Sequence, residues 1–222
     1  MTDALAPIVG AWLRRASEDV VAAAAELTEL DARIGDGDHG INMRRGMDAV
    51  AEVLVGAESA GSADLLRRAG RRIISVVGGA SGPLYGTLLI STADELGDHP
   101  SDAADLARAF EYGVAAVGRR GRSQVGQKTM LDTLVPAASA MRSSLCGGAS
   151  PTDAVEAAAA AARVGSESTR DMVAQRGRAS YLGERARGHL DPGAASALIV
   201  VEALASAVID QPVASIAAGA SL

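Results

Sequence analysis

The stretch Asp31-Ala-Arg-Ile-Gly35-Asp36-Gly37-Asp38-His39-Gly40 sets three carboxylates within eight residues, spaced by two glycines. What surrounds it decides the fold. Before it, Leu5, Ile8, Trp12, Ala16, Val20, Ala23, Leu27 and Leu30 recur at the spacing of one helical face. After it, a second helix is expected over roughly residues 42–55. Gly35-x-Gly37-x-x-Gly40 matches a dinucleotide fingerprint letter for letter, but that motif follows a strand, and here a helical stripe precedes it. Its variable positions are also carboxylates, which would repel a pyrophosphate. An EF-hand opening at Asp36 would need glutamate at its twelfth position, where Met47 stands.

Outward from this loop the helical period continues. A third helix carries Leu65, Ala69, Ile73, Val76 and Val77 and meets Gly78-Gly79, a candidate C-cap. A fourth opens at Ser81-Gly82-Pro83 and runs to Gly97, with proline suited to a helix start. Ser101 is the expected N-cap of a fifth, reaching Val117. A sixth spans about Lys128 to Leu145, and a seventh runs from Ser150-Pro151 to about Ala174. Asp191-Pro192 opens an eighth, with Leu198, Val201, Ala205 and Val208 aligned. Ile73–Val77 and Leu198–Val201 are apolar enough for buried strands, yet both sit inside longer stretches of helical period. The expected fold is all-α, a closed bundle of eight antiparallel helices, with no linker dividing residues 1–222 into two domains.

Composition agrees. Of 222 residues, 48% are hydrophobic and 2% aromatic, so Ala, Val, Leu and Ile must build the core, which suits close helix packing better than a β-sandwich. A net charge of −6 argues against nucleic acid as a partner. Cys146 is the single cysteine, which excludes an internal disulfide. No signal-peptide pattern opens the chain, and the apolar runs fall short of the ~20 residues a membrane span needs. A cytoplasmic protein without a membrane partner is expected. Alanine-rich helix faces are compatible with a homodimer.

Four segments carry the chemistry. Like charges ~4 Å apart repel by roughly 4 kcal/mol at an effective dielectric near 20, so Asp31, Asp36 and Asp38 point to a hard cation such as magnesium; a solvated acidic turn is the alternative. Gly78-Gly79-Ala80-Ser81-Gly82-Pro83 leads into a helix start that attracts anions, or is an ordinary interhelical turn. Gly121-Arg-Ser-Gln-Val-Gly-Gln-Lys-Thr129 misses the P-loop spacing by one residue and follows no parallel-sheet pattern; Met130 beside it suits either a nucleotide contact or the core. The Gly- and Arg-rich connections 118–126 and 175–189 are longer than simple turns, and the second carries Arg176, Arg178, Arg185 and Arg187. One of these arginines closing over a transferring phosphoryl group would complete a phosphoryl-transfer site. Asp191 has a sufficient structural role as a helix cap.

Leu30-Asp-Ala-Arg-Ile-Gly-Asp-Gly-Asp-His-Gly40 with Asn42-Met43, Gly79-Ala-Ser-Gly-Pro83, Lys128-Thr-Met-Leu-Asp-Thr-Leu134, and Gly177-Arg-Ala-Ser-Tyr-Leu-Gly183 through Asp191-Pro-Gly193 occur in this order. In them the sequence resembles DhaL, the nucleotide-binding L subunit of dihydroxyacetone kinase, over essentially the whole chain. A fatty-acid-kinase relative has threonine where His39 stands, and Gln127 replaces an acidic residue expected before Lys-Thr-Met. The resemblance implies an eight-helix antiparallel barrel with the nucleotide site at one end. It implies two Mg²⁺ ions on Asp31, Asp36 and Asp38, which would bring the charge of these carboxylates plus an ADP diphosphate from about −6 to about −2. It implies ADP or ATP surrounded by His39, Gly40, Ile41, Asn42, Ala80, Ser81, Gly121, Met130, Arg178, Asp191, Pro192 and Gly193, with Arg178 catalytic. The implied partners are a DhaK-type subunit that holds dihydroxyacetone and a DhaM-type phosphohistidine donor, and the chain looks like a free-standing L subunit. Alternatives are an ATP-dependent kinase subunit for another short ketose and a non-catalytic, nucleotide-dependent co-regulator.

Overall fold

Helical period becomes helix throughout residues 3–211, the part of the chain that the computed structural model describes, and no strand occurs among them. The elements are α1 (Ala6–Ala22), α2 (Ala24–Ile34), α3 (His39–Leu54), α4 (Ser62–Val76), α5 (Ser81–Leu96), α6 (Ala103–Gly121), α7 (Leu131–Cys146), α8 (Pro151–Ser168) and α9 (Pro192–Ile209). Two 3₁₀ segments, Thr169–Asp171 and Arg178–Ala186, lie between α8 and α9. The stretches that had the apolarity of buried strands belong to α4 and α9.

Nine helices make eight staves, because α1 and α2 are one stripe broken at Ala23. Just past the break Thr28 Oγ1 donates to Ala24 O at 2.8 Å, a back-bond that bends helices. Each stave packs on its chain neighbours, α3 on α4 and so on to α8 on α9, while α1 packs on both α3 and α9 and closes the ring. Alternation of direction around that ring has one consequence above all. The connections 35–38, 77–80, 122–130 and 169–191 all fall at the same end, and the helices that start there are α3, α5, α7 and α9.

Several helix ends differ from expectation, each for a local reason. Asp102, not Ser101, caps α6 by accepting from Asp105 N. α4 stops at Val76 with an extended Val77, so Gly78-Gly79 is connection rather than cap. α7 starts at Leu131 because Lys128 is left-handed, with φ of 61°. α8 ends at Ser168, where the Ser168 and Thr169 hydroxyls take the carbonyls of Gly165 and Ser166, both at 2.7 Å.

Small residues set the packing. A Cβ on Gly86 would lie 2.8 Å from Gly70 O, so α4 and α5 touch backbone to backbone. Pro136 inside α7 deprives Asp132 O of its helical donor, and Gly165 of α8 approaches that same carbonyl so closely that a Cβ there would overlap it. The only Trp and only Phe meet edge to face, Trp12 and Phe110 at 6.0 Å between centroids, and Trp12 Nε1 donates to Val200 O at 2.9 Å. α9 is long and apolar enough by length and composition to cross a membrane; packing against α1, α7 and α8 accounts for that apolarity. Gly165→Ala should lower the unfolding free energy by about 1–3 kcal/mol in urea titrations, the usual cost of overpacking. Unchanged stability would mean that α7 and α8 can slide apart freely.

Candidate functional site

The four connections gathered at one end enclose a cup of about 420 Å³, within the size range of small-ligand sites. Asp31, in the last turn of α2, is buried and lines the cup. Its carboxylate accepts from Asp38 N at 2.9 Å and His39 N at 3.1 Å, folding the acidic loop back on itself. Gly37 makes that turn with φ of 73°. Gly35 is required for a different reason: a Cβ there would collide with the Asp31 carboxylate. The result brings one oxygen each of Asp31, Asp36 and Asp38 within 4.8 Å of one another. Three hard oxygen donors converging beside a cavity fit a divalent cation that shares its shell with an anion.

Opposite the carboxylates, α5 begins at Ser81. Among the described residues no protein group accepts from the N–H of Gly79, Ala80, Ser81 or Gly82, and no side chain caps this helix. The contrast with the far end is sharp. There Asp3 accepts from Leu5 N and Ser62 N, Asp102 caps α6, and Ser150 and Asp153 form a capping box on α8. An open helix start facing a cavity favours an anion through its N–H groups and its dipole.

His39 links the two sides. Its Nδ1 lies 3.2 Å from Ser81 Oγ and its Nε2 2.9 Å from Ser196 Oγ, which in turn is 2.7 Å from Tyr85 OH. Burial lowers the imidazole pKa, while Asp31 and Asp38 pull the other way. Burial likewise raises the Tyr85 phenol. One part of the wall is apolar, with Ile34, Leu84, Val117, Met130 and Leu131, a surface suited to a flat ring. Arg178 reaches the rim, its Nε 2.8 Å from Asp36 Oδ2.

Of the residues named from sequence, Asp31, Asp36, Asp38, His39, Ala80, Ser81, Gly121, Met130, Arg178, Asp191, Pro192 and Gly193 line the cup. Gly40, Ile41 and Asn42 do not. Gly40 packs against the α2 backbone at Ala24 and Thr28, Ile41 points outward at 55% exposure, and Asn42 sits behind Gly78. Lys128, Thr129 and Arg176, which stand in the segments singled out from sequence without a role of their own in the site, also line it; sequence reasoning missed Tyr85 and Arg120, which line it too, and Ser196, which holds His39. Tyr85 and Ser196 carry a signal in hindsight, each a polar group on an otherwise apolar helix face. Gln127 lies outside the lining; its Oε1 accepts from Ser123 Oγ at 3.1 Å and Arg176 Nε at 3.4 Å.

Asp191 caps α9 by accepting from Ala194 N at 2.8 Å. Burial pushes its carboxyl up to about 7, against the pull of that bond and of Lys128. A folded pKa above the unfolded carboxyl value of about 3.9 means that stability falls as pH rises toward 7. Asp191→Asn keeps a cap acceptor without the charge. With bound ligands removed, its melting-temperature advantage over the parent should be larger at about pH 8 than at about pH 5. An equal advantage at both would refute a charged Asp191 as the cause.

A family model described as the DAK2 domain matches residues 33–206. Over 193 residues the chain is 40% identical to "PEP-dependent dihydroxyacetone kinase 1, ADP-binding subunit DhaL" of Listeria innocua, covering 87% of this chain and 92% of that protein. It is 41% identical over 197 residues to "PEP-dependent dihydroxyacetone kinase, ADP-binding subunit DhaL" of Escherichia coli, covering 88% and 94%. The fold is similar to that of the C. freundii dihydroxyacetone kinase crystallised with AMP-PNP and Mg²⁺, with a TM-score of 0.69 at 25% identity. That match covers 93% of this chain and 34% of the other, so the chain spans about a third of that enzyme.

Proposed function

The chain belongs to the DAK2-domain family, and from that membership and the geometry of the cup we propose that it is the nucleotide-binding L subunit of a dihydroxyacetone kinase, acting as one domain. In this reading it relays a phosphoryl group from a DhaM-type phosphohistidine donor, through bound ADP/ATP, to dihydroxyacetone held on a DhaK-type subunit. The relatives named as ADP-binding subunits support it, because they match nearly their whole length. The observation that carries it is the convergence of Asp31, Asp36 and Asp38 at the rim of a cavity whose opposite side is the open start of α5.

Asp31, Asp36 and Asp38 would hold Mg²⁺, two ions on the charge count given above, and magnesium there supplies neutralisation of phosphate oxygens. The chain's own residues do the rest. The Asp38 and His39 N–H groups fix the Asp31 carboxylate before any ligand arrives. The N–H groups at the start of α5 and the hydroxyl of Ser81 would hold the phosphates, and the apolar wall around Met130 would hold the adenine. Arg178, on the rim, adds a planar cation where charge builds during transfer. Acceptor and donor are brought by other subunits, which fits a cup open on one side.

Asp36→Asn should weaken Mg-ADP binding at least tenfold by calorimetry with the helical circular dichroism unchanged; unaltered affinity would overturn the metal assignment. Arg178→Ala should cost more in turnover than in nucleotide affinity. The decisive test is reconstitution with the two partner subunits and a phosphoenolpyruvate-fed donor. Formation of dihydroxyacetone phosphate is expected, with ADP retained through dialysis. Rapid exchange of ADP for free ATP would favour the ATP-dependent ketose kinase, and no product at all the co-regulator.

A further inference from the structure

The segment between Thr169 and Asp191 leaves the barrel, carries Arg178 over the rim and returns. Few bonds hold its outer part: Gln175 N donates to Gln127 O at 3.1 Å and Arg176 Nε to Gln127 Oε1 at 3.4 Å. The Arg178–Asp36 pair is exposed, 69% on the arginine side, and pairs of that kind contribute weakly. Beneath it Ala174, Ala179 and Ala186 rest on Ile34, a cluster with little apolar area. The two ends are held differently. Lys128 is 1% exposed, and its Nζ donates to Thr169 O and to His189 O, each at 2.5 Å. One ammonium thus ties the first turn after α8 to the residues just before α9. Gly188 N donates to Arg170 O at 2.8 Å, and Thr169 Oγ1 accepts from Asp191 N at 3.1 Å, between the same two ends.

The sequence spends conformational energy to place this lysine. Its φ of 61° is a region that a side chain other than glycine rarely adopts. The Asp132 carboxylate holds the turn by accepting from Thr129 N at 2.7 Å and from Gly126 N. A buried ammonium whose hydrogen bonds go to two neutral carbonyls is costly even with the Asp191 and Asp132 carboxylates nearby, and burial lowers the lysine pKa against their pull. That cost is explained if the two ends of the segment that it joins must be kept together. Two of the three Lys128 N–H donors are thus taken by the two ends of the segment, from a position that also lines the cup.

We propose that Lys128 is a positioning residue that clasps the base of the 170–188 segment and so keeps Arg178 over the cup. The link to turnover rests on the reading of Arg178 given above; the clasp itself does not. Lys128→Met keeps the aliphatic stem and removes the donors. Arg176, Arg178, Arg185 and Arg187 are all exposed trypsin sites within the segment, so its opening reads out directly. Cleavage between residues 170 and 188 should become at least tenfold faster in Lys128→Met, while hydrogen exchange in α7 and α8 stays within threefold of the parent. Turnover with the partner subunits should fall at least tenfold and ADP affinity less than threefold, and Lys128→Arg, which keeps charge and paired donors, should restore most of both. Unchanged cleavage, or exchange that rises equally in α7 and α8, overturns the proposal. In the unmutated protein the Gly188 amide should exchange at least 100-fold more slowly than that of Gly183, and equal rates overturn the clasp even if Lys128→Met does not fold. If Arg178→Ala leaves turnover intact while Lys128→Met still opens the segment, the catalytic reading of Arg178 fails and the clasp stands.

Discussion

Closure of the helical ring is the constraint on which everything else hangs. Eight staves of alternating direction allow every second connection to meet at one end, and residues that are distant in sequence become neighbours without any long excursion of the chain. Asp31, Ser81, Met130 and Asp191 come from four different connections or helix ends and line one cavity. Closure in turn depends on how near the staves can approach. Gly70 against Gly86, and Gly165 against the carbonyl that Pro136 leaves bare, show backbones in contact where a methyl group would not fit. A core with few aromatics is thus no handicap, since alanine and glycine let the walls draw inward until Trp12 and Phe110 suffice to fill the middle.

Inside the cup the acidic loop sets the electrostatics. Its carboxylates converge because Asp31 is locked by backbone donors and because residue 35 has no side chain to obstruct it. Charge crowding of this sort is the opposite of what folding alone would select, and it stands beside a helix start whose donors have no protein acceptor. Negative and positive features face each other across a gap, an arrangement suited to a phosphate flanked by cations on one side and amides on the other.

Much of this was legible in the sequence. The 3.6-residue period gave every stave, and the acidic loop, the Gly-rich turn and the arginine segment announced themselves by composition. What could not be read were contacts across the ring. His39 meets Ser196 157 residues away, and Lys128 meets His189 61 residues away, distances over which a single sequence carries no pairing information. Helix starts were misjudged where a side chain decides them, as at Asp102, or where a left-handed lysine delays them, as before Leu131. Gly40, Ile41 and Asn42 were placed by motif alone; the direction each faces depends on how α3 docks on α2, and only the fold fixes that.

The unequal finish of the two ends of the barrel bears on what a bound anion does to the protein as a whole. At the far end Asp3, Asp102 and Ser150 accept from N–H groups at helix starts, and at the cup Asp191 does so for α9, whereas α5 has no side-chain cap. A phosphate seated there takes the place of a missing cap residue. Binding then adds to the unfolding free energy, by about 2.7 kcal/mol at a hundredfold excess over Kd, and the melting temperature should rise with ligand concentration. Cofactor and fold would then rise and fall together.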